Sequence, residues 1–293
     1  MAELRRFKQV DVFTPTPLMG NPLAVILDAD GLSGGQMLAV ARWTNLSETT
    51  FVLPPSTAGA DYHVRIFSPA GELPFAGHPT LGTAHAMLES GFKPKSADRL
   101  IQECGVGLVP LDLSHSGWLA FQAPPARIHT VNESYFPLLN AAVGGATTVT
   151  WSPPVVVDMG IRWLVARADG ALSCLLMKPD TGALERLLTR CEADGLAVYG
   201  LHQPGGPADY EVRAFVVERG ALVEDPVTGS ANACLARLLH AQGFPDNPAF
   251  AESWRVRQGT ALGRDGQVRV RFIDGDPWIA GQSITVIDGT FRL

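Results

Sequence analysis

Two short segments place proton-handling side chains beside a proline and closely spaced glycines. Residues 77–86 read GHPTLGTAHA and residues 224–233 read EDPVTGSANA. At an offset of 147, Pro79 meets Pro226, Gly82 meets Gly229, Ala84 meets Ala231 and Ala86 meets Ala233. Thr83 and Ser230 match in chemistry, as do His85 and Asn232. Each segment follows an Arg-x-Phe strand, Arg65 to Phe67 and Arg213 to Phe215, one residue out of that register. The pattern reads as a duplicated strand–turn–helix unit. Proline is tolerated at the first helical position because its missing N–H is one the helix leaves unpaired. That makes His78 and Asp225 the expected N-caps. The free amides and positive end of such a helix attract anions. Two such starts, facing across a pseudo-two-fold axis, would hold a small carboxylate-bearing molecule.

The individual residues carry unequal weight. Asp225 is a good N-cap in its own right, so a structural role explains it equally well. His78 is a poor N-cap, and a helix start lowers an imidazole's pKa, keeping it neutral and able to exchange a proton near pH 7. His85, inside the helix, reads as a packing or surface residue. His63, His115, His129, His202 and His240 have no partner pattern. Glu48 opens a strand that is otherwise apolar or β-branched, and its counterpart in the second repeat falls near Gly195, where there is no carboxylate. A lone glutamate at a strand end is usually solvated. Desolvated in a closed cleft, its pKa would rise toward neutrality, as a proton-shuttling acid/base requires.

The elements that must position these residues alternate along the chain. Phe7 to Phe13 alternates, Leu23 to Leu27 is a short apolar run, and Ser33 to Thr44 has helical periodicity. Strands are expected at Glu48 to Leu53, Tyr62 to Ser68 and Gly117 to Gln122, with a helix from Pro79 to Glu89 closed by Gly91. Pro124, Pro125 and the polar stretch to Ser134 read as a linker. Strands follow at Val155 to Met159, Trp163 to Ala168 and Ala171 to Met177, then a helix at Thr181 to Ala193. Leu196 to Leu201 and Tyr210 to Val217 are strands, Thr228 to Gln242 is a helix, and the tail from Trp254 is strand and turn. The many hairpin-like joins favour an α+β fold over a doubly wound parallel sheet. Two domains are expected, residues 1–128 and 129–293, and the last strand could cross back to the first.

Composition narrows the function classes. The 293 residues suffice for two domains, and 46% hydrophobic with 18% charged residues supports a substantial core. No apolar run is long enough to span a bilayer, and the N-terminus shows no signal-peptide pattern. A net charge of −6 with no basic run argues against nucleic acid and anionic membranes as partners. The four cysteines stand far apart without ligand spacing, which reads as reduced structural thiols and a cytoplasmic protein. No metal or organic cofactor is indicated: there is no His/Cys/Asp cluster at ligand spacing and no phosphate-binding glycine motif. The LHQPGGP stretch reads as a turn.

The segments VDVFTPTPLMGNPLAVILD, NLSETTFVL, RIFSPAGELPFAGHPTLGTAHAML and VEDPVTGSANACLARLL, in that order, resemble the signatures of the PhzF-like family of phenazine biosynthesis. The tail with QG, GRDGQVRV and AGQSITVIDG fits as well. The resemblance spans nearly the whole chain. It implies a diaminopimelate-epimerase-like fold of two similar domains related by a pseudo-two-fold, each a curled, mostly antiparallel sheet around a central helix, with the active site in the cleft. It matches Glu48 to the proton-transferring glutamate. His78, Asp225 and Ser230 match the supporting histidine, aspartate and serine, and Gly77 and Gly229 the glycines before the histidine and serine. A homodimer is implied too. Relatives in the wider superfamily use two cysteines at the helix starts, and this chain has none there. The expected activity is cofactor-free transfer of a proton between carbons of a small carboxylate, as in a trans-2,3-dihydro-3-hydroxyanthranilate isomerase. The rivals are an epimerase or racemase-like enzyme of the same fold, and a non-catalytic binding protein that keeps the anion site.

Overall fold

A computed structural model describes residues 3–144 and 152–293. Their contacts divide the chain into two compact units: residues up to 122 together with 280–293, and residues 123–279.

The first unit contains β1 (Leu4–Val12), β2 (Asn21–Ile26), α1 (Gly34–Thr44), β3 (Thr49–Leu53), β4 (Tyr62–Phe67), β5 (Glu72–Leu73), α2 (Gly77–Glu89), β6 (Arg99–Cys104), β7 (Gly107–His115) and β8 (Trp118–Gln122). β1 pairs antiparallel with β2, β2 parallel with β3, β3 antiparallel with β4, β4 parallel with β6, and β6 antiparallel with β7. α2 packs on β1, β2 and β3 and also on β8, so the sheet curls around it. A helix so enclosed has no polar face, and Leu81, Ala84, Ala86 and even Thr80 and Thr83 are buried. α1 covers the outer face, setting Met37, Val40 and Ala41 against Ile26, Phe51 and Phe67. Ser33 and Gln36 close a reciprocal capping box at its start.

The second unit contains β9 (Arg127–Thr130), α3 (Phe136–Val143), β10 (Val155–Asp158), β11 (Arg162–Arg167), α4 (Ala171–Leu176), α5 (Thr181–Cys191), β12 (Gly195–Leu201), β13 (Tyr210–Glu218), β14 (Ala221–Asp225), α6 (Gly229–Ala241), β15 (Ser253–Gln258) and β16 (Gly266–Ile273). β17 (Asp276–Gly281) and β18 (Ser283–Arg292) end the chain. The pairings repeat those of the first unit: β10 antiparallel with β11, β11 parallel with β12, β12 antiparallel with β13, β13 parallel with β15, β15 antiparallel with β16. α6 lies on β10 and β11. Leu184, Leu187 and Leu188 of α5 pack on Leu196, Val198 and Phe215 of the sheet, with Leu139 and Val143 of α3 beside them.

Several expectations are corrected here. By contacts the chain divides at 122/123: β9 pairs with β10 of the second unit, and the last strand, β18, with β1 of the first. The expected linker therefore contains a strand, whose four residues are all exposed and carry no alternation to betray it. Ala171 to Leu176 is helical. Ala171 and Cys174 are buried while Leu172 and Leu176 face solvent, a spacing of three that a short apolar run does not distinguish from a strand.

The helix starts also shift. α2 begins at Gly77 with Ala76 as N-cap, so His78 is its second residue and Pro79 its third. α6 begins at Gly229 with Thr228 as N-cap, so Asp225 closes β14 and Pro226 precedes the helix. The cause is hairpin length. Phe67 pairs with Glu72 and Phe215 with Glu224, making the second hairpin four residues longer. The repeat runs at an offset of 148 along β4 and β13 and 152 beyond the hairpin, where Gly77 corresponds to Gly229 and His78 to Ser230. Both helices end alike, with Gly91 and Gly243 at positive φ and the next phenylalanine's N–H bonded back to Met87 and Leu239. The offset of 147 thus aligned letters across an insertion.

Candidate active site

In the first unit, β2 and β3 run parallel, with Ala24 opposite Thr49, so Asn21 and Glu48 enter the sheet at the same end. The start of α2 brings His78 to them. His78 Nε2 lies 3.3 Å from Glu48 Oε2, and the Asn21 side-chain nitrogen lies 3.3 Å from His78 Nδ1. The histidine is almost fully buried, whereas the Glu48 side chain keeps 17% of its surface exposed. Burial pushes the His78 pKa down to about 3, so the ring is neutral at physiological pH. Donation from the Asn21 amide occupies Nδ1 as an acceptor, which puts the one ring proton on Nε2, facing Glu48. A neutral N–H donor thus faces a carboxylate that solvent or substrate can still reach.

In the second unit, Gly229 and Ser230 are the first two residues of α6. The Trp163 indole N–H donates to Ser230 Oγ at 3.0 Å, which leaves the serine hydroxyl proton to donate elsewhere. Trp163 pairs with Gly195, the counterpart of Glu48 in the sheet register. A Cβ at Gly195 would stand 2.4 Å from the Trp163 ring. An indole therefore occupies the place where the other unit has its carboxylate.

Asp225 is the last residue of a β-hairpin that an ion pair clamps. Arg213 donates through Nε and Nη2 to the two oxygens of Glu224, both side chains being about nine-tenths buried. The first unit repeats the pair as Arg65 with Glu72. Thr228 Oγ1 donates to Asp225 Oδ2.

Glu48 and His78 are thus in contact. Gly77 precedes His78 at the α2 start, and Gly229 and Ser230 stand four and five residues after Asp225. Sequence reasoning missed Asn21, Trp163, Thr228 and Gln258. No signal in the neighbouring residues marks any of the four, because burial and partners from distant strands give them their roles. All four cysteines are free, and burial raises the thiol pKa of Cys104, Cys174, Cys191 and Cys234; none lies at a helix start. Among the described residues, no three His, Cys, Asp or Glu side chains gather as a metal ion would need. Nor is any described helix long and apolar enough to cross a membrane. A cavity of about 510 Å³ in the first unit is lined by Arg5, Tyr62, Met87 and Phe92, at the opposite end of α2 from His78.

The family model described as phenazine biosynthesis-like protein, PhzC–PhzF, matches residues 10–289. The chain belongs to that family. It is 35% identical over 269 residues to the trans-2,3-dihydro-3-hydroxyanthranilate isomerase of Pseudomonas aeruginosa, covering 92% of this chain and 90% of the relative. It is 36% identical over 298 residues to antisense-enhancing sequence 1 of Schizosaccharomyces pombe, covering 97% of each. A PhzF-family phenazine biosynthesis protein from Bacillus anthracis superposes with a TM-score of 0.83 at 25% identity, over 99% of both chains. The α+β architecture is that of the family, and the protein is an isomerase or epimerase of this kind.

Proposed function

We propose that this family member is a cofactor-independent isomerase that moves a proton between two carbons of a small carboxylate-bearing substrate, with Glu48 as the proton carrier. The observation that supports this most directly is the Glu48–His78 contact, a carboxylate 3.3 Å from the Nε2 of a neutral, buried imidazole. The Glu48 carboxylate takes a proton from one carbon, the electron pair left behind moves into the adjacent π system, and Glu48 returns the proton to another carbon. No atom is gained or lost and no redox partner is needed. His78 Nε2, 3.3 Å from Glu48 Oε2 without a hydrogen bond between them in this structure, becomes the donor that orients Glu48 when substrate closes the site, since an N–H serves an ionised oxygen and a carbonyl oxygen alike. Ser230, its oxygen already accepting from Trp163, has a hydroxyl proton to give a substrate carboxylate. Asp225 orients the reacting part of the substrate.

The first substrate to try is trans-2,3-dihydro-3-hydroxyanthranilate, the compound named for the Pseudomonas aeruginosa relative. In deuterated buffer, the wild type should incorporate solvent deuterium and Glu48→Gln should lose about 10²–10⁴-fold of that rate while still binding. Full exchange by Glu48→Gln would remove Glu48 from the role. Binding by the wild type without exchange would favour a binding protein.

A further inference from the structure

Gln258 ends β15, is fully buried, and spends all four of its amide hydrogen bonds on the start of α6. Its Oε1 accepts from the Thr228 backbone N–H at 3.0 Å and from the Asn232 side-chain amide at 3.0 Å. Its Nε2 donates to the Asp225 carbonyl at 3.1 Å and to Thr228 Oγ1 at 2.9 Å. The orientation is settled by chemistry. A backbone N–H can only donate and a backbone carbonyl can only accept, so Oε1 must face Thr228 N and Nε2 must face Asp225 O. Thr228 Oγ1 therefore accepts from Gln258 and has one proton left, which goes to Asp225 Oδ2. The chain runs in one direction, from the Gln258 amide through the Thr228 hydroxyl to the Asp225 carboxylate.

The first unit makes the comparison informative. Gln102 follows α2 as Gln258 follows α6, each in a strand parallel to its neighbour; Gln102 lies opposite Tyr62, and Gln258 opposite Val212, two positions beyond Tyr210, the counterpart of Tyr62. Gln102 donates to Thr80 on α2 and accepts from the Tyr62 hydroxyl. Linking strand to helix is thus common to both glutamines, Thr80 and Asn232 being the fourth residue of their helices. The links to an N-cap hydroxyl and to the turn exist only for Gln258, because the corresponding residues in the first unit are Ala76 and Leu73. The extra hydrogen bonds occur where the carboxylate occurs.

We infer that Gln258 and Thr228 are positioning residues for Asp225: Gln258 orients the Thr228 hydroxyl, which holds Oδ2 and thereby aims Oδ1 at the substrate. The inference rests on the reading of Asp225 as a substrate-contacting residue. Its consequence is kinetic, since loss of the hydroxyl leaves the carboxylate in place but removes a hydrogen bond that sets its orientation.

The test compares Thr228→Val, Thr228→Ser, Gln258→Met and Asp225→Asn by deuterium exchange into trans-2,3-dihydro-3-hydroxyanthranilate, with crystal structures of the wild type and both Thr228 variants. Thr228→Val should lower kcat about 10- to 100-fold, the worth of one hydrogen bond to a charged group, with KM changed less than about twofold. Thr228→Ser, which restores the hydroxyl, should recover wild-type kcat, and Gln258→Met should resemble Thr228→Val. In the crystals, the Asp225 carboxylate should be turned in Thr228→Val and unmoved in Thr228→Ser. Loss of activity in Asp225→Asn with wild-type kcat in Thr228→Val would overturn the positioning role alone. Full activity in Asp225→Asn would overturn the reading beneath it. Should the compound not be turned over, an Asp225 carboxylate in the same place in all three crystals would overturn the inference.

Discussion

The neutrality of His78 can be measured without knowing any substrate. Burial takes its pKa from the ordinary 6.5 to about 3. At pH 7.5 the imidazole is neutral in both the folded and the unfolded chain, so it contributes nothing to pH dependence. As pH falls through 6.5 the unfolded chain takes up a proton that the folded chain refuses, and stability drops until both states are protonated below about 3. At pH 5 the unfolded imidazole lies 1.5 units below its pKa, which at about 1.36 kcal/mol per unit is a loss of ~2 kcal/mol relative to pH 7.5. That is a ceiling, because the Glu48 carboxylate 3.3 Å away would favour a protonated ring. The assay is urea unfolding at pH 7.5 and pH 5.0 for the wild type and for His78→Asn. The wild type should lose up to ~2 kcal/mol more than the variant between the two conditions. His85, whose pKa burial also lowers, is present in both proteins and cancels. An equal loss in the two proteins, or a smaller one in the wild type, would mean that His78 is protonated and paired with Glu48. The neutral-donor role assigned to it would then be wrong.

Two further outcomes follow from local geometry. Gly195→Ala places a methyl group 2.4 Å from the Trp163 ring and 2.9 Å from the Phe215 carbonyl, so it should cost about 1–3 kcal/mol and shift tryptophan fluorescence; a change within about 0.5 kcal/mol would show that the indole moves freely. Glu103 accepts from the backbone and hydroxyl donors of Ser56 and Thr57, and its pKa falls to about 2, side-chain hydrogen bonds from Ser56 being the largest cause. Its stabilising contribution is present above 4.5 and is lost as pH falls from there through about 2. Glu103→Gln should therefore show a flatter acid limb in thermal melts than the wild type, and identical limbs would contradict the assignment.

The residues themselves supplied the ingredients of the site. A histidine in a poor capping context, a lone carboxylate at a strand start and a serine beside a helix-opening glycine can be read from types and spacing, because each is chemically out of place in its element. The repeat was legible for the same reason, although at the wrong register after the hairpin. Four residues inserted between Phe215 and Glu224 shift everything downstream, and letter matching absorbed the shift by aligning Pro79 with Pro226. Only strand pairing locates such an insertion, because hydrogen-bond register counts residues opposite one another and is blind to similarity. Asn21, Trp163 and Gln258 were illegible on different grounds. Nothing local distinguishes a glutamine at the end of a strand from a solvated one. What makes Gln258 decisive is that packing removes all water from it, so that each of its four polar valences must be met by the turn carrying Asp225. The sequence determined which groups could do chemistry, and tertiary structure decided which way their protons point, since hydrogen-bond direction is set by partners brought together from distant parts of the chain.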